Sequence, residues 1–188
     1  MASVEPLLRA FENQLDLGWH STRAGPQRVW MCVYDPALER KLLLRLDEFR
    51  NAVVKRGKSW RPLDLAASFS TWLARSRFRE RYFADPTLLA PGAPALEEFA
   101  EALRDRLLEE LRQPDADERS VVALHGVGAL FKLASTAALL KSVDGEIRGR
   151  VLVFFPGRLE ADRYRLFDAY DSWDYLAVPV LPAPPGGA

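Results

Sequence analysis

A chain of 188 residues with 26 basic and 26 acidic side chains carries no formal net charge. That length buries about 70% of the unfolded surface in a single core. Its 48% hydrophobic and 28% charged content is ordinary globular usage, which excludes a disordered chain, a collagen or a coiled-coil rod. The charge balance also excludes a polybasic nucleic-acid binder, because phosphate affinity depends on an excess of Lys and Arg. A local basic patch stays open.

Cys32 is the single cysteine, so no intrachain disulfide forms, which fits a reducing cytosol. Residues Met1 to Pro6 lack the basic and apolar regions of a secretory signal. No stretch approaches the ~20 apolar residues that cross a bilayer. The expectation is a cytoplasmic protein with no membrane segment.

In chain order, Val4, Leu7, Leu8, Phe11 and Leu15 form one helical stripe over residues 4–17, stopped by Gly18. Arg28 to Tyr34 is a short apolar run and reads as a buried strand. Asp35 ends it and caps the next segment, with Pro36 at the first helical position. Ala37 to Arg56 carries Leu42, Leu43, Leu46, Phe49 and Val53, a helical pattern closed by Gly57. Ser59 to Leu65 reads as an edge strand, because Pro62 cannot donate to a central ladder. Strand, helix and strand in so short a span predict a βαβ unit with the two strands paired in parallel.

Ser68 to Phe83 and Ala95 to Arg112 are predicted helices, separated by a loop with Pro86, Pro91 and Pro94. Ser120 to His125 is almost wholly apolar, as buried parallel strands are. Gly126-Val127-Gly128 comes next, and Ala129 to Val143 reads as a helix. Arg150 to Phe155 is a further buried strand ending at Pro156-Gly157, Tyr164 to Phe167 a short element, and Tyr175 to Leu181 an edge strand interrupted by Pro179. The alternation predicts a three-layer α/β/α sandwich with a mostly parallel sheet. Residues 1–181 form one domain, and residues 182–188 are a Pro/Gly-rich, frayed tail.

Four places could carry chemistry. His125, Gly126, Val127 and Gly128 lie at the carboxyl end of a strand, where open α/β sheets place ligands and glycines admit a phosphate. A Walker A loop fails there, because Phe131 precedes Lys132 and Leu133 replaces Ser/Thr. A dinucleotide fingerprint fails too, since Phe131 stands where its third glycine belongs. His20 and His125 have no nucleophile elbow beside them and no zinc-ligand spacing. Arg75, Arg77, Arg79 and Arg81 carry a local charge of +3 once Glu80 is counted. On a continuous helix 75 would share a face with 79, and 77 with 81, a candidate patch for nucleic acid or an acidic partner. Asp162, Asp168, Asp171 and Asp174 match no calcium-loop spacing. No catalytic residue, metal or cofactor is assigned from these patterns.

The runs Val121 to Gly128, Leu139-Leu140, Val151 to Gly157 and Leu166-Phe167 are together similar to the BrxB family of BREX bacteriophage-exclusion systems. The first half agrees, with Tyr34-Asp35-Pro36, Glu39-Arg40 and Leu63-Asp64-Leu65, so the resemblance runs over roughly 28–178. Asp35, Pro36, Phe155, Pro156 and Gly157 are the family-motif positions. The chain departs from the family at Ala129, where a serine is usual. It departs again at Lys132 and Ser135, where a proline and then an arginine are usual. At Asp174 to Ala177 the family has a Tyr-Tyr-Arg-Ala run. It resembles a divergent member. The resemblance implies a layout like that of P-loop ATPase cores without the phosphate loop. It also implies a non-catalytic accessory role in antiphage defence, beside the alkaline-phosphatase-like protein PglZ, a large ATPase and a DNA methyltransferase. PglZ is the expected partner, with nucleic acid reached through the complex. The alternatives are a nucleotide- or phosphate-binding regulator using residues 125–128 and a nucleic-acid contact through the arginines at 75–81.

Overall fold

The computed structural model describes residues 3–17, 19, 25–161, 163–167, 172–173 and 175–182. Gly18, His20, the four aspartates at 162, 168, 171 and 174, and residues 183–188 of the tail lie outside the described residues.

An interior strand explains the architecture. β1 (Val29–Tyr34) is buried along its whole length, so both of its faces need cover. Val29, Met31 and Val33 point into one apolar core, and Trp30, Cys32 and Tyr34 into a second. The same alternation runs through β4 (Arg150–Glu160), where Phe155 joins the first core and Phe154 the second. Period-2 side chains thus feed two cores separated by a sheet. Helices α1 (Glu5–Leu17), α2 (Glu39–Leu43) and α3 (Leu46–Lys55) cover the second core. The first lies under α4 (Ser68–Arg75), α6 (Pro94–Leu111) and α7 (Thr136–Lys141). This is the expected three-layer α/β sandwich.

The sheet runs β2-β3-β4-β1-β7, with β2 (Ser59–Asp64), β3 (Ser120–His125) and β7 (Val178–Val180) joining β1 and β4 in parallel. β5 (Arg163–Leu166) pairs antiparallel with the far half of β4, and β6 (Ser172–Trp173) with β5. The two strands expected at edges because of their prolines sit there, Pro62 on β2 and Pro179 on β7.

The predicted pairing of the first two strands does not occur. β3 and β4 lie between β1 and β2. Closeness along the chain gives only a modest entropic advantage to a neighbour, since loop closure grows slowly with length. Here β3 and β4, apolar on both faces, take the centre, and the half-polar β2 goes to the edge.

Three predicted helices are broken. The 37–56 helix splits at Leu44, which is left 79% exposed, and Arg45 clasps Glu48 at 2.7 Å and also Glu5 of α1. The 68–83 helix stops at Ser76, whose backbone is extended at ψ 132° and whose Oγ accepts from the Phe78 N–H at 3.2 Å; α5 (Arg79–Ala84) then starts afresh. The 129–143 helix shrinks to Thr136–Lys141, because Lys132 takes φ 60° and the Ser135 hydroxyl caps Ala138 N–H at 3.2 Å. Strand β4, by contrast, runs on through Pro156 and Gly157 rather than ending there. Pro156 is the last residue of β4 in register with β1, and the antiparallel pairing with β5 begins at Gly157, so the proline falls at the end of the parallel ladder.

Candidate functional site

The register of the sheet brings distant segments to one end. Asp64 stands opposite His125 across β2 and β3, and Tyr34 opposite Pro156 across β1 and β4. The candidate turn 125–128 therefore lies beside Asp35, Pro36 and Pro156, positions far apart in the chain. A small hollow of ≈ 230 Å³ opens there, lined by Pro36 and Glu39 beyond β1, Ala66 beyond β2, and Gly126, Gly128 and Phe167. Asp35 accepts from the Ala37 N–H at 2.9 Å with Pro36 next in line, the cap its sequence calls for.

The two glycines of the turn serve different needs. Gly126 holds φ 72°, and a Cβ there would meet the Ala66 nitrogen at 2.7 Å and Asp64 Oδ1 at 3.0 Å. Gly128 makes room for a ring: its Cβ would meet Phe167 Cζ at 2.8 Å and Pro156 Cγ at 3.5 Å. Val127 between them is fully buried. Gly126→Ala is expected to cost about 2–4 kcal/mol, from the left-handed backbone plus a clash with main chain. Gly128→Ala should cost about 1 kcal/mol, because the Phe167 ring can swing aside. Urea midpoints of the two variants compare them, and equal losses would contradict this placement of Phe167.

The electrostatics of the hollow are acidic. Glu39 lines it, and its carboxylate accepts from the Tyr34 hydroxyl. Burial and then this bond to Glu39 push the Tyr34 hydroxyl well above its ordinary pKa. A phosphate entering here meets a carboxylate and no Lys or Arg among the lining residues. His125 Nδ1 lies 3.5 Å from Asp64 Oδ1, longer than a good hydrogen bond, and that same oxygen accepts from the Ala66 N–H at 2.8 Å. Cys32 is fully buried and its thiol is driven far up in pKa by desolvation, so it presents no thiolate. Among the described residues, no group of three or more His, Cys, Asp and Glu side chains is placed to hold a metal.

Of the remaining family-motif positions, Phe155 is a core residue packed edge-on against Tyr164 at 5.9 Å. Gly157 sits where β5 passes too close for any side chain. These two support the sheet rather than line the hollow.

The arginine cluster is divided. Arg75 ends α4, Arg77 lies in the linker, and Arg79 and Arg81 belong to α5, so the expected 75/79 and 77/81 faces do not exist. Arg79 pairs with Glu80 at 3.1 Å, and the Arg77 guanidinium rests 4.6 Å over the Phe78 ring. Arg75 and Arg77 line a groove of ≈ 970 Å³ between α4 and α6; Arg79 and Arg81 do not. That groove escapes a reading of the sequence. Its apolar floor of Trp72, Phe99 and Leu103 reads along the chain as ordinary core, and only the packing of α4 on α6 leaves it open.

Comparison with known proteins returns one finding. Residues 91–180 match the family model described as "BREX protein BrxB". The matched segment runs from the approach to α6 through β7, so it holds the 125–128 turn and Phe155 to Gly157 and leaves out Asp35, Pro36 and the arginines. No curated protein and no solved structure matches the chain. Over residues 91–180, the chain is similar to the BrxB family.

Proposed function

We propose that this protein is a non-catalytic adaptor subunit of a BREX-type antiphage defence system, working in the cytoplasm in contact with the PglZ-like, alkaline-phosphatase-like component. The match of residues 91–180 to the BrxB family, a family of BREX proteins, is the observation that carries the reading. Two features of the site support it. The glycines that suggest a phosphate turn are taken up by close packing against Ala66 and Phe167, and the hollow beside them is lined by Glu39. The one thiol is sealed in the core. No helix among the described residues is long and apolar enough to cross a membrane.

Two measurements test the reading. The tagged chain, expressed with the other BREX components, is expected to retain the PglZ-like protein through purification, and its deletion to restore phage plating. Capture of no component, together with unchanged restriction after deletion, overturns the adaptor role. Calorimetry with ATP and GTP at millimolar concentration is expected to show no binding heat. Saturable heat lost in Gly126→Ala would favour the phosphate-binding alternative.

A further inference from the structure

The α6 wall of the groove between α4 and α6 is mainly acidic, with Arg106 among its carboxylates, and the opposite side carries Arg75 and Arg77, with Asp64 at its β2 end. Along α6, Glu98, Ala102, Asp105 and Glu109 have the spacing i, i+4, i+7, i+11 and form one exposed stripe. Along α4, Ala67, Thr71 and Arg75 form another, continued by Arg77. Between them lie Trp72, Phe99 and Leu103. The floor is rigid: Trp72 stacks between Phe69 at 5.7 Å and Tyr82 at 6.1 Å, and Arg106 of α6 donates to Ser68 Oγ of α4 at 2.7 Å. The small residues Ala67, Thr71 and Ala102 leave the rims low. Arg75, Arg77, Glu98, Asp105 and Glu109 make no ion pair with any described residue, although elsewhere the surface arginines 45, 56, 61 and 112 are paired.

The shape and charge select an occupant. Both walls are helices with their backbone bonds satisfied internally, so a strand finds no edge to pair with. Four carboxylates line the groove, Glu98, Asp105 and Glu109 on α6 and Asp64 on β2, against three arginines, so a phosphate backbone meets no net positive surface there. The stripe from 98 to 109 is about 16 Å long at 1.5 Å per residue, three turns of a facing helix. We propose that this groove docks an amphipathic helix of a partner protein. The helix sets its apolar face on the partly exposed Trp72 and Phe78, a Lys/Arg edge along Glu98, Asp105 and Glu109, and acidic residues against Arg75 and Arg77. This rests on the adaptor reading above and states where the partner sits.

The test uses the full chain co-expressed with the other BREX components, with p-benzoylphenylalanine replacing Ala102 in the groove or Leu44 on the opposite helical layer. Photolysis is expected to link position 102, not 44, to a partner peptide with apolar residues at helical spacing and Lys/Arg beside them. Asp105→Lys with Glu109→Lys should weaken that assembly at least tenfold while the melting temperature stays within about 2 °C, as expected for surface changes without partners. A complex that forms normally despite the reversal, or whose position 102 links to nucleic acid or to a second copy of the chain, overturns the groove proposal and leaves the adaptor reading standing. If the wild-type chain assembles with no component, both fall together.

Discussion

Phe154→Ala is expected to lower stability by about 3–5 kcal/mol, the cost of emptying a large aromatic site in a core that cannot collapse around it. Phe154 is fully buried on the central strand β4. Its ring meets Phe49 of α3 edge-on at 5.0 Å and Trp60 of β2 at 6.5 Å. Removing it therefore loosens α3 from the sheet and the sheet from its own edge. A domain of this size loses roughly 2–4 °C of melting temperature per kcal/mol, so the melt should fall by about 6–20 °C. Differential scanning calorimetry checks it. Phe155→Ala, one residue on, should cost as much from the other face of the sheet, through the loss of its contact with Tyr164. A small loss at one position and a large one at the other would mean that only one of the two helical layers is firmly packed.

Gly157→Ala should cost about 3 kcal/mol or more, at the upper end of overpacking effects. A Cβ at 157 would stand 1.9 Å from the carbonyl oxygen of Arg165, which is backbone and cannot rotate away. Gly157 pairs with Leu166 where β4 leaves the parallel sheet and takes β5 as its antiparallel partner. The substitution must push β5 off β4, and with it Phe167, whose ring fills the space above Gly128. Hydrogen exchange should show the loss of protection concentrated in residues 157–166, while β1 and β3 stay protected. Uniform deprotection across all strands would contradict a local cause. The variant also bears on function: if the BrxB segment 91–180 docks a partner through the groove on α6, Gly157→Ala should leave that docking measurable at low temperature, because the two regions lie at different parts of the fold.

Much of the candidate site is readable one segment at a time. The turn after β3 stands out because two glycines behind an apolar strand are a local signal, and Asp35 with Pro36 announces its own cap. What those glycines are for cannot be read locally, since their neighbours Ala66, Pro156 and Phe167 come from elsewhere in the chain. The arginine patch fails for a related reason. Its faces assume an unbroken helix, and Ser76, a residue that hydrogen-bonds its own backbone as readily as it continues a helix, breaks it. Three helices read too long, because apolar periodicity runs across breaks: at 76 and 132–135 a capping side chain or a left-handed residue makes the break, whereas at 44–45 the chain turns with neither.

Length and neutral charge admit a single α/β body and exclude a polybasic one, and local pattern identifies its strands, its edge prolines and its layers. These are properties that each segment carries within itself: side-chain period, burial on one face or two, a missing N–H at proline. Strand order belongs to the whole. β1 and β2 are consecutive in the chain yet separated by two strands in the sheet, because the doubly buried β3 and β4 lower the free energy most at its centre. The same competition for cover brings α4 onto α6 and leaves a groove with one acidic wall and two arginines opposite. On a molecule with no net charge, that uneven distribution of charge is what singles out the groove as the proposed docking site.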